Sequence, residues 1–270
     1  MSSGKPQAFF EALGADSARG AQRFRPTTAC IGPWSAESLH GGPPIALLGR
    51  ALRLHPGDAS MMLARITVEF LGPVPLADCE VAVEVVRPGK RIELLRAEYR
   101  VQGRGVLSAQ AWRLQQAPGS SPARPPVFEV PPIPEIETTE FFAGVTYFPY
   151  GESLEWRFVR SSFTQPGPAL VWARPRIPLL ATEPLHGLDG LLILLDSANG
   201  VSAELEVLQH SFVPVDLTLN LHRLPQGPWF GLDARTVIDK SGVGVVSTTP
   251  FDAQGAVGAS LHTLFVRPRS

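Results

Sequence analysis

The same order of parts occurs twice in this chain, once on each side of a proline-rich stretch, and that repetition narrows the possible folds more than any other feature. Residues 117–134 (APGSSPARPPVFEVPPIP) hold seven prolines. Proline has no N–H to give to a helix or a ladder, so the stretch reads as an extended connection. Before it, HGGPPIALLGRALRLHP sets Ile45, Leu48, Ala51 and Leu52 at helical spacing, with Pro43 and Pro44 near the start and Pro56-Gly57 as the stop. Residues 23–31 read as a strand ahead of this helix. Residues 62–71, 79–87, 92–101 and 106–114 read as strands behind it. After the proline-rich stretch, 153–163 and 169–177 read as strands. Residues 184–200 (PLHGLDGLLILLDSANG) read as a helix, although so unbroken an apolar run fits a buried strand nearly as well. Strand patterns return at 215–223, 229–238, 244–250 and 256–266, the last two joined by a DAQG turn.

The two β blocks can be laid over one another. ITVEFLGPVP at 66 falls on LTLNLHRLP at 217, which sets Thr67 on Thr218. LSAQAWRL at 107 falls on SLHTLFV at 260, which sets Gln110 against His262. An internal duplication accounts for this. A helix followed by four antiparallel strands has to bury its apolar stripe on one sheet face. Two such units side by side make one continuous sheet with both helices on the same side. The expected class is α+β, with units at 1–116 and 146–270 and a linker at 117–145.

Composition removes several classes of function. The chain has 24 basic and 25 acidic residues, so no basic excess is present to neutralise phosphates, and nucleic acid is not an expected partner. The N-terminus lacks the apolar core of a signal peptide, and the longest apolar run, 191–195, is too short to span a bilayer. Cys30 and Cys79 have neither disulfide-framework nor metal-ligand spacing, which suggests buried thiols in a reducing compartment and a cytoplasmic location. The six histidines show no zinc spacing, there is no GxSxG elbow, and Gly242-Val-Gly244 is a hairpin turn with no helix after it. Neither a metal nor an organic cofactor is expected. The tryptophans at 34, 112, 156, 172 and 229 are dispersed and suit a core or an apolar channel.

The motifs HGGPPIALLGRAL at 40, LLDSANG at 194, DLTLNLHR at 216 and GAVGASLHTLFV at 255 resemble, as a set, those of the type II acyl-CoA thioesterase family. The resemblance follows the strand order through most of 20–115 and 150–268. It implies a double hotdog fold and the hydrolysis of acyl-CoA to free acid and CoA, with acyl-CoA as partner and no cofactor. It also implies a catalytic Asp at Asp196, a Ser or Thr at Thr218, and a Gln where this chain has His262. A homodimer or larger assembly is expected.

Thioester hydrolysis needs an activated water and donors for the developing oxyanion. A carboxylate after LLILL is costly unless bonded or functional, which fits Asp196; it also fits an ordinary residue at a helix exit. Thr218 and His262 lie on strands of one sheet and could converge beside the helix, or be a satisfied hydroxyl and a core histidine. Gly41 and Gly42 precede a helix, where free N–H groups suit an oxyanion; a plain tight turn is the other reading. Two further functions stay open: an acyl-CoA or acyl-carrier binding protein without hydrolysis, and an enoyl-CoA hydratase. The hydratase would want Asp five residues after a helix His, which His186 and Asp189 do not match.

Overall fold

The computed structural model describes residues 5–16, 20–120, 122–125 and 127–269. The first half runs β1 (Phe10–Asp16), β2 (Ala21–Pro26), a 3-10 turn at Thr28–Cys30, α1 (Gly42–Leu54), β3 (Met61–Phe70), β4 (Cys79–Arg87), β5 (Ile92–Val101) and β6 (Arg104–Gln115). The second runs α2 (Pro149–Glu152), β7 (Leu154–Ser162), β8 (Gln165–Pro175), α3 (Gly187–Leu195), α4 (Ala198–Val201), β9 (His210–Leu221), β10 (Phe230–Ile238), β11 (Val243–Asp252), β12 (Gly255–Ala256) and β13 (Gly258–Pro268). No helix or strand interrupts the described residues between β6 and α2.

All the named strands join one sheet, with antiparallel pairing between neighbours. Its order outward from the centre is β3-β6-β5-β4-β2-β1 on one side and β9-β13-β11-β10-β8-β7 on the other. The two lists are the same path through two copies of one unit. They meet where β3 pairs with β9, and Thr67 faces Thr218 there, the pair that the sequence overlay matched. Ile66, Val68, Leu217 and Leu219, on the face that meets the core, are wholly buried. Burying a side chain of this size contributes about 1.5–3 kcal/mol before the entropy of ordering it is subtracted.

The α1 and α3 helices pack against each other closely enough to dictate residues. A Cβ on Gly42 would lie 1.8 Å from the Ile193 carbonyl oxygen, and one on Gly49 would lie 2.3 Å from Leu192 Cδ1. The leucine run of α3 has no polar face because α1, β8 and β10 leave none exposed; 188–195 are all buried. That enclosure resolves the ambiguity of its pattern in favour of a helix. The helix predicted over 184–200 is two, broken at Asp196 and Ser197.

Two other expectations change. The strand predicted at 23–31 ends at Pro26, and the chain turns through Thr28–Cys30. β1 was not expected: FEALGAD has few β-branched residues, and a bulge lies between Ala12 and Gly14, where Gly14 takes φ of 100°.

Candidate active site

The N-terminus of α1 abuts the C-terminus of α3, and HGG makes the contact. A Cβ on Gly41 would lie 2.7 Å from Asp196 Oδ2 and 2.8 Å from the Phe70 ring, so the backbone there is as near to Asp196 as it can come. The Gly41 N–H, beside the Asp196 carboxylate, favours its ionised form. The Gly42 N–H donates to His40 Nδ1 at 3.2 Å. His186 repeats this at α3, where its Nδ1 accepts the Leu188 N–H at 3.2 Å.

Asp196 caps the C-terminus of α3 and is 5% exposed. Burial pushes its carboxyl up to about 7, and the Gly41 N–H pulls the other way. Its Oδ2 is 3.2 Å from His40 Nδ1. Its Oδ1 is buried with no partner among the described residues. Burial drives His40 down to about 3, so the ring is neutral. With Nδ1 accepting from Gly42, the ring proton is on Nε2. The His40 ring stacks on Tyr150, with centroids 3.7 Å apart and planes at 5°. The Tyr150 hydroxyl donates to the Ile193 carbonyl at 2.7 Å, and so accepts from Ser197 Oγ at 2.8 Å. Sequence reading did not assign roles to His40, Tyr150 or Ser197. His40 and Ser197 sit inside quoted motifs, whereas nothing near Tyr150 marks it.

Asp196, His40 and Gly41 border a cavity of about 450 Å³ between the halves. The first half lends it Trp34, Leu39 and Phe70, the stretch before α2 lends Phe142, and the second half lends Phe148, Trp156, Phe163 and Phe212. A larger hollow, about 780 Å³, is lined by Glu204, Arg235, Asp239 and Lys240 and holds none of these site residues. Its charged walls suit solvent, whereas the aromatic cavity suits a ligand with an apolar body.

The other two candidates do not join Asp196. Thr218 alternates with the buried Leu217 and Leu219, so it points to the opposite face of the sheet, where its hydroxyl donates to Thr67 Oγ1 at 3.1 Å. His262 is on the core face, 1% exposed, between Leu217 and Val246, with both ring nitrogens lacking partners among the described residues. Burial lowers it to about 4, although Asp216 opposes this. His262 and Thr218 therefore lie on opposite faces. Register also separates Gln110 from His262: Thr67 pairs with Gln110, while Thr218 pairs with Leu261. On β9 the cavity lining runs from Ser211 to Val215, and its one hydroxyl, on Ser211, donates to the Arg267 carbonyl at 3.3 Å.

A duplicated site would lie at the other end of the helix pair, and there the chemistry differs. Arg50 follows His40 by the same ten residues that separate Asp196 from His186. Arg50 Nε donates to Glu183 at 2.9 Å and Arg53 donates to Asp189 at 2.7 Å. Ion pairs occupy that end.

A neutral histidine and a raised carboxyl in an aromatic cavity, held between two helices on one antiparallel sheet, define a hotdog-fold protein with room for an acyl group. The fold is that of a conserved hotdog protein from Alicyclobacillus acidocaldarius (TM-score 0.71, 18% identity, 95% of each chain). It is also that of acyl-CoA thioesterase II from Mycobacterium marinum (0.65, 18%, 96% of this chain and 95% of that one). A TesB protein from Mycobacterium avium is similar as well (0.64, 15%, 94% and 96%). No curated protein matches the chain. Residues 31–114 match the acyl-CoA thioesterase N-terminal domain, residues 128–266 match its C-terminal domain, and the chain belongs to that family. It is a thioester hydrolase acting on acyl-CoA. No described helix is long and apolar enough to cross a membrane.

Proposed function

We propose that hydrolysis takes place at one site per chain, in the cavity between the halves, with Asp196 holding and deprotonating the attacking water. The observation that carries this is the free Asp196 Oδ1, buried beside an aromatic cavity on a carboxyl whose titration near 7 suits a general base. Water placed at Oδ1 gives a proton to the carboxylate and its oxygen attacks the thioester carbon. The C–S bond then breaks, the acid is released, and the thiolate takes up the proton. The Gly41 amide lies beside Asp196 and the Gly42 amide is occupied by His40, so they position those side chains. The His40 Nε2–H, bonded to no described group, is the candidate donor to the carbonyl oxygen as charge develops there. This reading gives Thr218 and His262 no contact with the reacting atoms.

In the same reading the chain is a double hotdog: units 1–116 and 146–270, each a helix on an antiparallel sheet, joined by 117–145. The repeated strand order supports it. A cytoplasmic location is supported by two buried, unpaired cysteines, and a homodimer by the apolar outer face of the second half.

The test is thiol release from a panel of acyl-CoAs. Wild-type protein should turn over, and Asp196→Asn should lose roughly a hundredfold or more while staying folded. Near-normal turnover by Asp196→Asn would remove the water from this carboxylate. Tight acyl-CoA binding with no thiol released would make the chain a binding protein.

A further inference from the structure

Behind the acyl cavity lies a second hollow of about 220 Å³, and the two have a wall in common. Phe142, Phe163, Gly200, Ala203 and Val207 line both. The two rings form the body of that wall. Phe142 and Phe163 are 5% and 7% exposed and pack edge to face, with centroids 5.2 Å apart at 72°. Each ring is held from behind. Phe163 meets Trp156 at 5.2 Å and Phe158 at 5.0 Å, both nearly perpendicular. Phe142 stacks on Trp34 at 6.2 Å, and a Cβ on Gly200 would come within 3.3 Å of its Cζ. Beyond the wall the lining is Thr164, Gln165, Glu206 and Leu208, all exposed, so the second hollow faces solvent.

An acyl tail gains free energy only where it leaves water for apolar contact, about 0.8 kcal/mol per methylene. In this protein that gain stops at the Phe142–Phe163 pair. A longer tail has to displace rings that close packing fixes in place, and pushing extra methylenes into such packing is unfavourable. Phe142 comes from the linker between the two units and Phe163 from the turn just after β7 in the second. The linker thus supplies part of the substrate cavity as well as joining the units.

We propose that Phe142 and Phe163 are the specificity-determining residues for chain length, ending the acyl site so that the enzyme selects acyl groups that stop at this wall. The proposal rests on the reading that the aromatic cavity takes the acyl group, and it can be tested without hydrolysis. Binding of S-alkyl CoA thioethers, from butyl to hexadecyl, is measured by calorimetry on the intact chain. Affinity should rise about fourfold per methylene, the factor that 0.8 kcal/mol represents, and then stop rising at one chain length. Phe142→Ala should move that break to longer chains by several carbons. Phe142→Leu, a smaller change for folding, should move it less. Adding Ala203→Leu to Phe142→Ala should refill the wall and bring the break back. An affinity that climbs unbroken to hexadecyl in wild type would overturn the proposal. So would a break at the same length in folded Phe142→Ala, or no binding of any thioether. Thiol release from the matching thioesters separates the two claims: a break that moves with Phe142, in a protein that releases no thiol, sustains the wall and removes hydrolysis.

Discussion

Asp196 carries opposing demands. It sits at the negative end of α3, in a site that penalises charge, yet the N-terminus of α1 and the Gly41 N–H favour the ionised form. The result is a carboxyl that titrates at about 7 in place of the usual carboxylate range. As a base it works only when ionised, so kcat/KM should rise with pH, half-way at about 7, and level off above. A profile measured from about pH 5 to about pH 9 checks this. The stability effect has the opposite sense. A carboxyl raised in the folded state favours folding when protonated, and that contribution is lost as pH rises through about 7. Asp196→Asn should therefore raise the thermal midpoint above neutrality and leave it nearly unchanged below about pH 4. His262 behaves differently. Depressed to about 4, it is neutral across the working range. His262→Gln should leave the pH–rate profile where it was and remove a loss of stability as pH falls from about 6.5 toward 4. A flattened profile in that variant would return His262 to the chemistry.

At the scale of elements, the contact between α1 and α3 decides where the site can be. Gly42 packs on the Ile193 carbonyl, so Gly42→Ala forces backbone apart and should cost about 1–3 kcal/mol or more, seen as a lower denaturation midpoint. Much of this was legible in the sequence. The order of strands, the two helices, the HGG entry and the carboxylate after LLILL all follow from periodicity, glycine and proline. What was not legible is which face a strand residue takes. Because side chains alternate, a one-residue difference in register moves a residue through the sheet. Gln110 and His262 look equivalent in the string, but Leu261 holds the position of Gln110. Both halves carry a bulge at the same place, between Leu63 and Arg65 and between Pro214 and Asp216, so the bulges do not account for the difference. Tyr150 was equally hidden: it reaches His40 through the turn of α2, and its backbone N–H bonds Ile31 of the other half.

Taken whole, the molecule is a sheet with β1 and β7 at its edges and an outer face that the linker covers in part, where Phe128 meets Phe251 and Trp172 Nε1 donates to the Pro131 carbonyl. Both edges are poor surfaces for pairing with another chain. β1 is bulged at Gly14, and β7 breaks register on both sides of Arg160. The part of the second half's outer face that the linker leaves exposed is different. Val213, Phe265 and Val243 lie side by side across β9, β13 and β11, and each is close to half exposed. The next rows add Val245, Val237 and Leu261. Scattered apolar residues on a surface need no partner, but a contiguous row of them across three strands does. A second copy laid face to face would bury this row on both chains at once, as two-fold pairing requires. Charged residues in the row should then split the assembly. On the proposed pairing, wild type should sediment as a dimer and Phe265→Glu combined with Val245→Lys as a monomer. Because Asp196, His40 and the aromatic cavity all come from one chain, thiol release per chain should persist in that monomer. A wild-type chain that sediments as a monomer would leave the row unexplained by pairing. A dimer unchanged by both substitutions would place the contact on another face.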